Sequence, residues 1–334
     1  MYLIIPVFLS HQGCPHGCIF CNQHRITGPS KPVDAHAVAA TIDTWLGRRQ
    51  KKHRMVQVGF YGGSFTALDQ SRQRELLGAV RPYLQSGRVD TIRLSTRPDC
   101  LDPGRIALLR RLGVGIVEIG AQSLDDRVLA RAGRGHTASQ VEEATARLRQ
   151  YGLEVGIQLM VGLPGDSARR RMKTVQRVIG MRPDFVRIYP LLVLDNTRLA
   201  RELKQARYTP LSLDRAVVAT ARMKRLFDQA KIPVIRMGLQ PTPSLEKSLK
   251  AGPFHPAFGE LVLSRLMFLR ARKALRSHDH GRHLILHINR RDLSIFNGPR
   301  GRNVAHLRTA GLLDNVTVKT RRRQQRHTIS LTPE

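Results

Sequence analysis

Up to about residue 192 the chain repeats one pattern: a short apolar run rich in β-branched residues, a loop with Gly or Pro, then a longer stretch with apolar positions at helical spacing. The runs predict strands over residues 3–9, 55–61, 91–96, 115–119, 153–161 and 184–191. The stretches between them predict helices over 34–48, 69–84, 103–112, 138–151 and 168–181. Six strands separated by helices form a βαβ series, so the expected fold is α/β with a parallel sheet and right-handed crossovers. In a barrel-like arrangement of this kind the loops leaving the C-terminal strand ends share one rim, and sites are built there.

Beyond residue 192 the alternation weakens. Helices are expected over 211–229 and 256–277, a strand over 283–288, then a loop rich in Gly and Arg over 297–302 and a short helix ending at Ala310. From about residue 320 the chain is polar and basic enough to be read as a mobile tail. The organisation expected is therefore a core barrel over 1–192 and a basic C-terminal region over 193–334.

Composition narrows the classes. Of the 334 residues 41% are apolar, enough for a substantial core and against bulk disorder. The start, MYLIIPVFLS, has no basic leader and reads as a strand rather than a signal peptide. No apolar run is long enough for a membrane span, so a cytoplasmic protein is expected. The formal charge is +31, and residues 201–334 hold 27 basic against 9 acidic residues. That excess, with Arg321, Arg322 and Arg323 in a row, favours polyanions, nucleic acid first. Arginine is abundant everywhere, and part of the excess is compositional.

Three of the four cysteines fall within eight residues, Cys14, Cys18 and Cys21, spaced C-x3-C-x2-C with Phe20 before the last. A disulfide framework would need an even, dispersed set. Three thiolates suit an iron-sulfur cluster with one iron left open to chelate a ligand's amine and carboxylate. A zinc site completed by His11, His16 or His24 is the other metal reading, although no second ligand pair stands at a matching place. Cys100 reads as a small buried hydrophobe. The other unusual residues follow later strands: Gly62-Gly63-Ser64 after the second, Ser95-Thr96-Arg97-Pro98 at the third, Gln122 after the fourth and Gly162-Leu163-Pro164-Gly165 after the fifth. Arg97 is suited either to pairing bidentately with a carboxylate or to shielding a strand end.

With an aromatic before its last cysteine, the C-x3-C-x2-C loop resembles the signature of the radical S-adenosylmethionine (radical SAM) superfamily. The resemblance implies a partial (β/α)6 TIM-like barrel with a basic C-terminal extension. It implies a 4Fe-4S cluster on Cys14, Cys18 and Cys21 that passes one electron to S-adenosylmethionine, giving a 5′-deoxyadenosyl radical able to abstract hydrogen. A one-electron donor such as flavodoxin or ferredoxin is then an implied partner. Gly62, Gly63 and Ser64 resemble the superfamily's GGE-type motif for the cofactor's amino group, with Ser64 replacing the acid, so that backbone carbonyls carry more of the contact. Ser95 and Arg97 stand where members place polar groups against the ribose or carboxylate. Gln122 and Arg134 resemble cofactor contacts of coproporphyrinogen-oxidase-like members, and Gln158 stands where those members carry an acid. Residues 156–165, GIQLMVGLPG, look like the fifth-strand motif, with Val161 to Leu163 as an apolar wall for the adenine.

The phrases YGGSFT and STRPD, the G-x-G-H-T after Gln122, and GPFHPAFGELV resemble the catalytic-subunit family of Elongator more than the porphyrin enzymes. That family modifies wobble uridine in tRNA with a second, acetyltransferase-like domain, for which no motif is seen here. The expected function is radical SAM chemistry on RNA, tRNA first, with the basic C-terminal part as docking surface. Two further readings stand beside it: the same chemistry on a small carboxylated or porphyrin-like metabolite, and a non-enzymatic iron-sulfur or RNA-binding protein.

Overall fold

The computed structural model describes residues 2–9, 13–22, 33–48, 50, 55–277 and 282–334. Seven parallel strands form the main sheet in the order β1 (Tyr2–Phe8), β2 (Met55–Tyr61), β3 (Thr91–Thr96), β4 (Val114–Gln122), β5 (Glu154–Val161), β6 (Phe185–Pro190) and β8 (Val234–Met237). The short β7 (Val193–Leu194) pairs antiparallel with β9 (Leu249–Ala251) beside it. The first six strands lie where the sequence pattern places them. The seventh, β8, lies beyond residue 192 and pairs with β6, so the sheet continues past the point where the alternation weakens.

The two faces of the sheet differ, because successive side chains of a strand point to opposite sides. One face is apolar: Ile5 and Val7, Val58 and Phe60, Ile92 and Leu94, Val155 and Ile157, Val186 and Ile188 pack against helix residues such as Ile42, Leu76, Ile106, Val141 and Val178. The other lines the hollow of the curled sheet and carries Tyr61, Arg93, Ser95, Glu118, Gln158, Arg187 and Tyr189. Several of the helices begin at side-chain caps. Asp34 accepts from the Ala37 N–H at 2.7 Å, and Thr137 and Gln140 form a reciprocal capping box at the start of Ala138–Gln150. The stretch 69–84, read as one helix, is broken into Gln70–Gly78 and Arg81–Gln85, with Pro82 at the start of the second.

A second core lies C-terminal. Strand β10 (Leu284–Asn289) is flanked by β11 (Val316–Arg321) in parallel and β12 (Ile329–Pro333) antiparallel. The segment read as a tail from about residue 320 instead carries the end of β11, a turn and all of β12. Val316, Val318, Ile329 and Leu331 are half-buried against Leu286, Ile288, Phe296 and Leu307, and the intervening turn is pinned by Asp292, which accepts from Arg326 Nε and the His327 N–H, each at 2.6 Å. Helix Phe258–Arg276 serves both cores: Phe258, Val262 and Leu266 belong to the first, Met267, Phe268, Ala271 and Leu275 to the second. Among the described residues no helix is long and apolar enough to cross a membrane.

Candidate functional site at the sheet rim

The cysteine loop begins where β1 ends, with the Leu9 N–H bonded to the Tyr61 carbonyl. Gly13 fixes its course. Its φ is +73°, and a Cβ there would stand 2.3 Å from the Ser64 carbonyl oxygen, so a glycine is what lets the loop lie against the turn after β2. Farther along, the Ile19 N–H bonds to the Ala132 carbonyl at 3.1 Å and the Leu199 N–H to the Ile19 carbonyl at 2.8 Å. Ile19 and Phe20 pack with Val128, Leu163, Leu199 and Tyr208. The loop is thus anchored before Cys14 and again between Cys18 and Cys21.

None of the four cysteines forms a disulfide. Arg134 Nη1 donates to Cys18 Sγ at 3.1 Å and Nη2 to the Gly120 carbonyl, tying the loop to β4. Burial pushes the Cys14 thiol up, with Cys18 adding to the effect, while Arg97 and Arg134 pull it back. Among the described residues no three His, Cys, Asp or Glu converge as ligands of a single ion. A cubane asks for something different, since each thiolate binds a separate iron. Three thiols on one anchored loop, two of them acting on each other and one receiving a guanidinium N–H, fit that donor set. His16 lies 3.8 Å from Asp99, while His11 and His24 fall outside the described residues. Cys100 is buried at the end of the third strand's loop, as a small hydrophobe would be.

The remaining candidates gather along the same rim. Gly62 and Gly63 are half-buried. Ser64 is buried, and its hydroxyl faces inward, 3.0 Å from Thr96 Oγ1 and accepting from the Arg97 N–H at 3.3 Å. It braces the β2 loop against the end of β3, which leaves backbone as what the turn offers outward. Ser95 is half-buried on the hollow side. Gln122 closes β4 with φ +66°, a conformation uncommon outside glycine, and its Oε1 accepts from Gln158 Nε2 at 3.1 Å.

Two expectations change. Arg97 does pair bidentately with a carboxylate, but the carboxylate belongs to Asp99 of its own chain, through Nε to Oδ1 at 3.0 Å and Nη2 to Oδ2 at 2.9 Å. The same arginine also donates to the Arg134 carbonyl, so it works as a rivet between two rim loops rather than as an open guanidinium. Val161 is fully buried on the helix side of the sheet, because it shares parity with Ile157 and Leu159. Its side chain therefore supplies no wall to the hollow, and Leu163, packed beside Ile19, is the apolar residue at that strand end.

Several residues have no role assigned by the sequence, although one of them, His136, stands in the G-x-G-H-T motif. His136 is buried, and the Ala121 backbone is the polar group set against its ring. Burial, with Arg134 and Arg97 adding to it, holds its pKa down to about 3 against the weaker pull of Asp99 and the Ala121 backbone. Arg93, Glu118 and Arg187 form a buried cluster in the hollow. The signal for the latter was present: single charges at alternate positions within otherwise apolar strands, as in TIRLST, VEIGAQ and FVRIYP.

The comparisons agree with this geometry. The family model described as the Radical SAM superfamily matches residues 9–178, and that of the Radical_SAM C-terminal domain matches residues 183–267. A tRNA uridine(34) acetyltransferase of Methanocaldococcus jannaschii is 27% identical over 67% of this chain and 49% of its own length. The heme chaperone HemW of Lactococcus lactis is 25% identical over 55% of this chain and 48% of its own. The chain spans about half the length of these curated relatives. Among solved structures, the Elp3 of Methanocaldococcus infernus superposes with a TM-score of 0.62 at 22% identity, covering 79% of this chain and 62% of that one. Coproporphyrinogen III oxidase (HemN) of Escherichia coli gives 0.51 at 19%, covering 69% and 52%. These two show the fold, a curled parallel half-barrel. With half of its length matched by the family model and three cysteines on the loop after the first strand, the chain belongs to the radical SAM superfamily.

Proposed function

We propose that the chain is a radical SAM enzyme acting on RNA, with tRNA the first candidate. Cys14, Cys18 and Cys21 would hold a 4Fe-4S cluster, and S-adenosylmethionine would lie along the rim from Gly62 past Gln122 and Gln158 to Leu163. When bound, the two together supply reductive cleavage of a carbon-sulfur bond and a radical able to abstract hydrogen. The chain's own part is to position and to exclude. Arg134 and the packing of Ile19 and Phe20 fix the cysteine loop. The turn at Gly62 and Gly63 brings backbone to the rim, Ser95 and the Gln122–Gln158 pair offer neutral hydrogen-bonding groups, and Leu163 with its cluster keeps water from one side.

The observation that carries this reading is the seating of the cysteine loop: Gly13 against Ser64 on one side and Cys18 on Arg134 at 3.1 Å on the other. The RNA part rests on separate support, the tRNA-directed name of the M. jannaschii relative and the exposed run Arg321, Arg322 and Arg323 at the end of β11. The heme-chaperone relative favours a second reading, a small acidic or porphyrin-like ligand in place of RNA.

Anaerobic reconstitution tests the first part. The protein takes up four irons per chain and releases 5′-deoxyadenosine from S-adenosylmethionine under dithionite, and Cys18→Ala loses both. Failure of the wild type to release 5′-deoxyadenosine overturns the enzyme. Nucleoside mass spectrometry of tRNA from a deletion strain tests the second part, and an unchanged nucleoside profile moves the assignment to the small-ligand reading.

A further inference from the structure

Beneath the rim the hollow has a charged floor that none of the cofactor contacts uses. Glu118 of β4 lies between two arginines, Arg93 Nε at 3.0 Å from Oε1 and Arg187 Nε at 3.0 Å from Oε2. Each guanidinium also covers an aromatic ring, Arg93 over Phe185 at 5.2 Å and Arg187 over Tyr61 at 5.5 Å. Two glycines make this possible. A Cβ at Gly59 would stand 2.6 Å from the Tyr61 ring and one at Gly156 would stand 2.2 Å from the Phe185 ring, so both rings lie across bare strand backbone.

The charges do not balance. The groups acting on one another here are one carboxylate, two guanidiniums and the phenols of Tyr61 and Tyr189. Burial keeps the Tyr61 phenol above its usual range and therefore neutral, which leaves one positive charge over. The side chains of Arg93 and Glu118 are only 5% and 4% exposed, and a net buried charge is costly unless something pairs with it. The existing contacts are also incomplete: Arg93 Nε, Arg187 Nε and Glu118 Oε1 are buried close together, yet none has a partner in hydrogen-bonding geometry. Burial pushes the Glu118 carboxyl up, against the pull of Arg187 and Arg93 and of a hydrogen bond from the Tyr61 hydroxyl, so the carboxylate pays a desolvation cost to stay between the two arginines. Above the floor the surfaces open, since Tyr61, Ser95, Gln158, Met160, Arg187 and Tyr189 are all half-buried. The side of the cluster that faces the rim is therefore less tightly covered than its strand side, and Arg187 is its most exposed member, at 12%.

We infer that this floor is a binding site for an oxyanion, the carboxylate or phosphate group of a small co-substrate, held by Arg93 and Arg187 in competition with Glu118. Planar guanidinium forks suit both groups. The site rests on the proposed function only for the chemistry above it. An anion fixed on the floor would aim the rest of its molecule at the rim, where Gln158 and Gln122 stand.

Saturation-transfer NMR at 0.15 M NaCl, on the anaerobically reconstituted protein without dithionite, tests the site with propionate, its uncharged isostere propionamide and inorganic phosphate. Propionate is expected to show transfer and propionamide little. Arg187→Gln should lose the signal, while Arg187→Lys, which keeps the charge, retains part of it. Glu118→Gln should tighten propionate by about ten-fold, because the internal competitor is gone. A residue with a merely structural role would weaken binding when replaced, so this gain is the distinguishing outcome. Displacement of propionate by phosphate assigns a phosphate group, and its absence a carboxylate. Equal transfer from propionate and propionamide, unchanged transfer in Arg187→Gln, or weaker binding in Glu118→Gln overturns the inference. Cleavage of S-adenosylmethionine by the wild type is read separately, so failure of the anion site and failure of the radical reading are distinguishable.

Discussion

Arg134 donates to the sulfur of Cys18 at 3.1 Å and to the carbonyl of Gly120, and so fixes the cysteine loop to the fourth strand. Hydrogen bonds to sulfur are among the features that set cluster potentials. If the bond is stronger by roughly 1 kcal/mol in the reduced state, Arg134→Leu should move the potential of the reconstituted protein about 40 mV more negative. An EPR-monitored redox titration reads this directly. A potential unchanged within error would mean that the guanidinium serves the loop's position alone.

His136 ties stability to pH. Its folded pKa of about 3 lies below the ordinary 6.5, so between those values the unfolded chain takes up a proton that the folded chain refuses. Stability contributed by this group is therefore level above pH 6.5 and falls as the pH drops toward 3. The loss at pH 5 is about 2 kcal/mol. Urea midpoints at pH 7.5 and pH 5 for wild type and His136→Gln measure it, with the variant expected to lose less stability on acidification. Parallel losses would show that other groups carry the acid sensitivity.

Asp292 is fully buried and accepts from Arg326 Nε and from the His327 N–H. Asp292→Ala leaves both donors without an acceptor, at a cost of about 2–3 kcal/mol. Hydrogen exchange should then rise first over residues 322–333 while the seven-stranded sheet stays protected. Uniform exchange across both cores would contradict a local pin.

Most of the main sheet was legible because its helix-facing side is almost wholly apolar at every second position, as in Val155, Ile157, Leu159 and Val161. The same periodicity could have placed Val161 away from the rim, had parity been weighed against the motif in which it sits. The C-terminal strands were obscured. Val316, Val318, Ile329 and Leu331 keep the period, but Arg321 to Arg323 and the polar turn after them dominate the composition, and half-buried outer strands need few apolar residues. Nor could sequence reveal that Arg97 is paired with Asp99 two residues on, since a short fork closing over Pro98 depends on backbone course. The cysteine loop was readable from spacing alone, whereas its partner Arg134 is distant in sequence and meets Cys18 only through the fold.

The exposed arginines Arg321, Arg322 and Arg323 offer a direct check on RNA docking. Each phosphate contact steepens the logarithmic salt dependence of affinity by about 0.7–0.9. Replacing all three by Gln should flatten the slope for tRNA by about 2 if each meets a phosphate, with little change in thermal stability. An identical slope would move the docking surface elsewhere on the chain.

Helix Phe258–Arg276 contributes one end of its buried stripe to the main sheet's core and the other to the C-terminal core. A shared beam of this kind does not pivot freely, since displacing either end would open cavities at Phe258 or at Leu275. Force applied at the basic sheet is thus borne along one rigid rod to the edge of the half-barrel beside β8. The C-terminal sheet behaves as a fixed handle on the hollow, and an RNA grasped there would be presented at a set distance from the rim rather than swung over it.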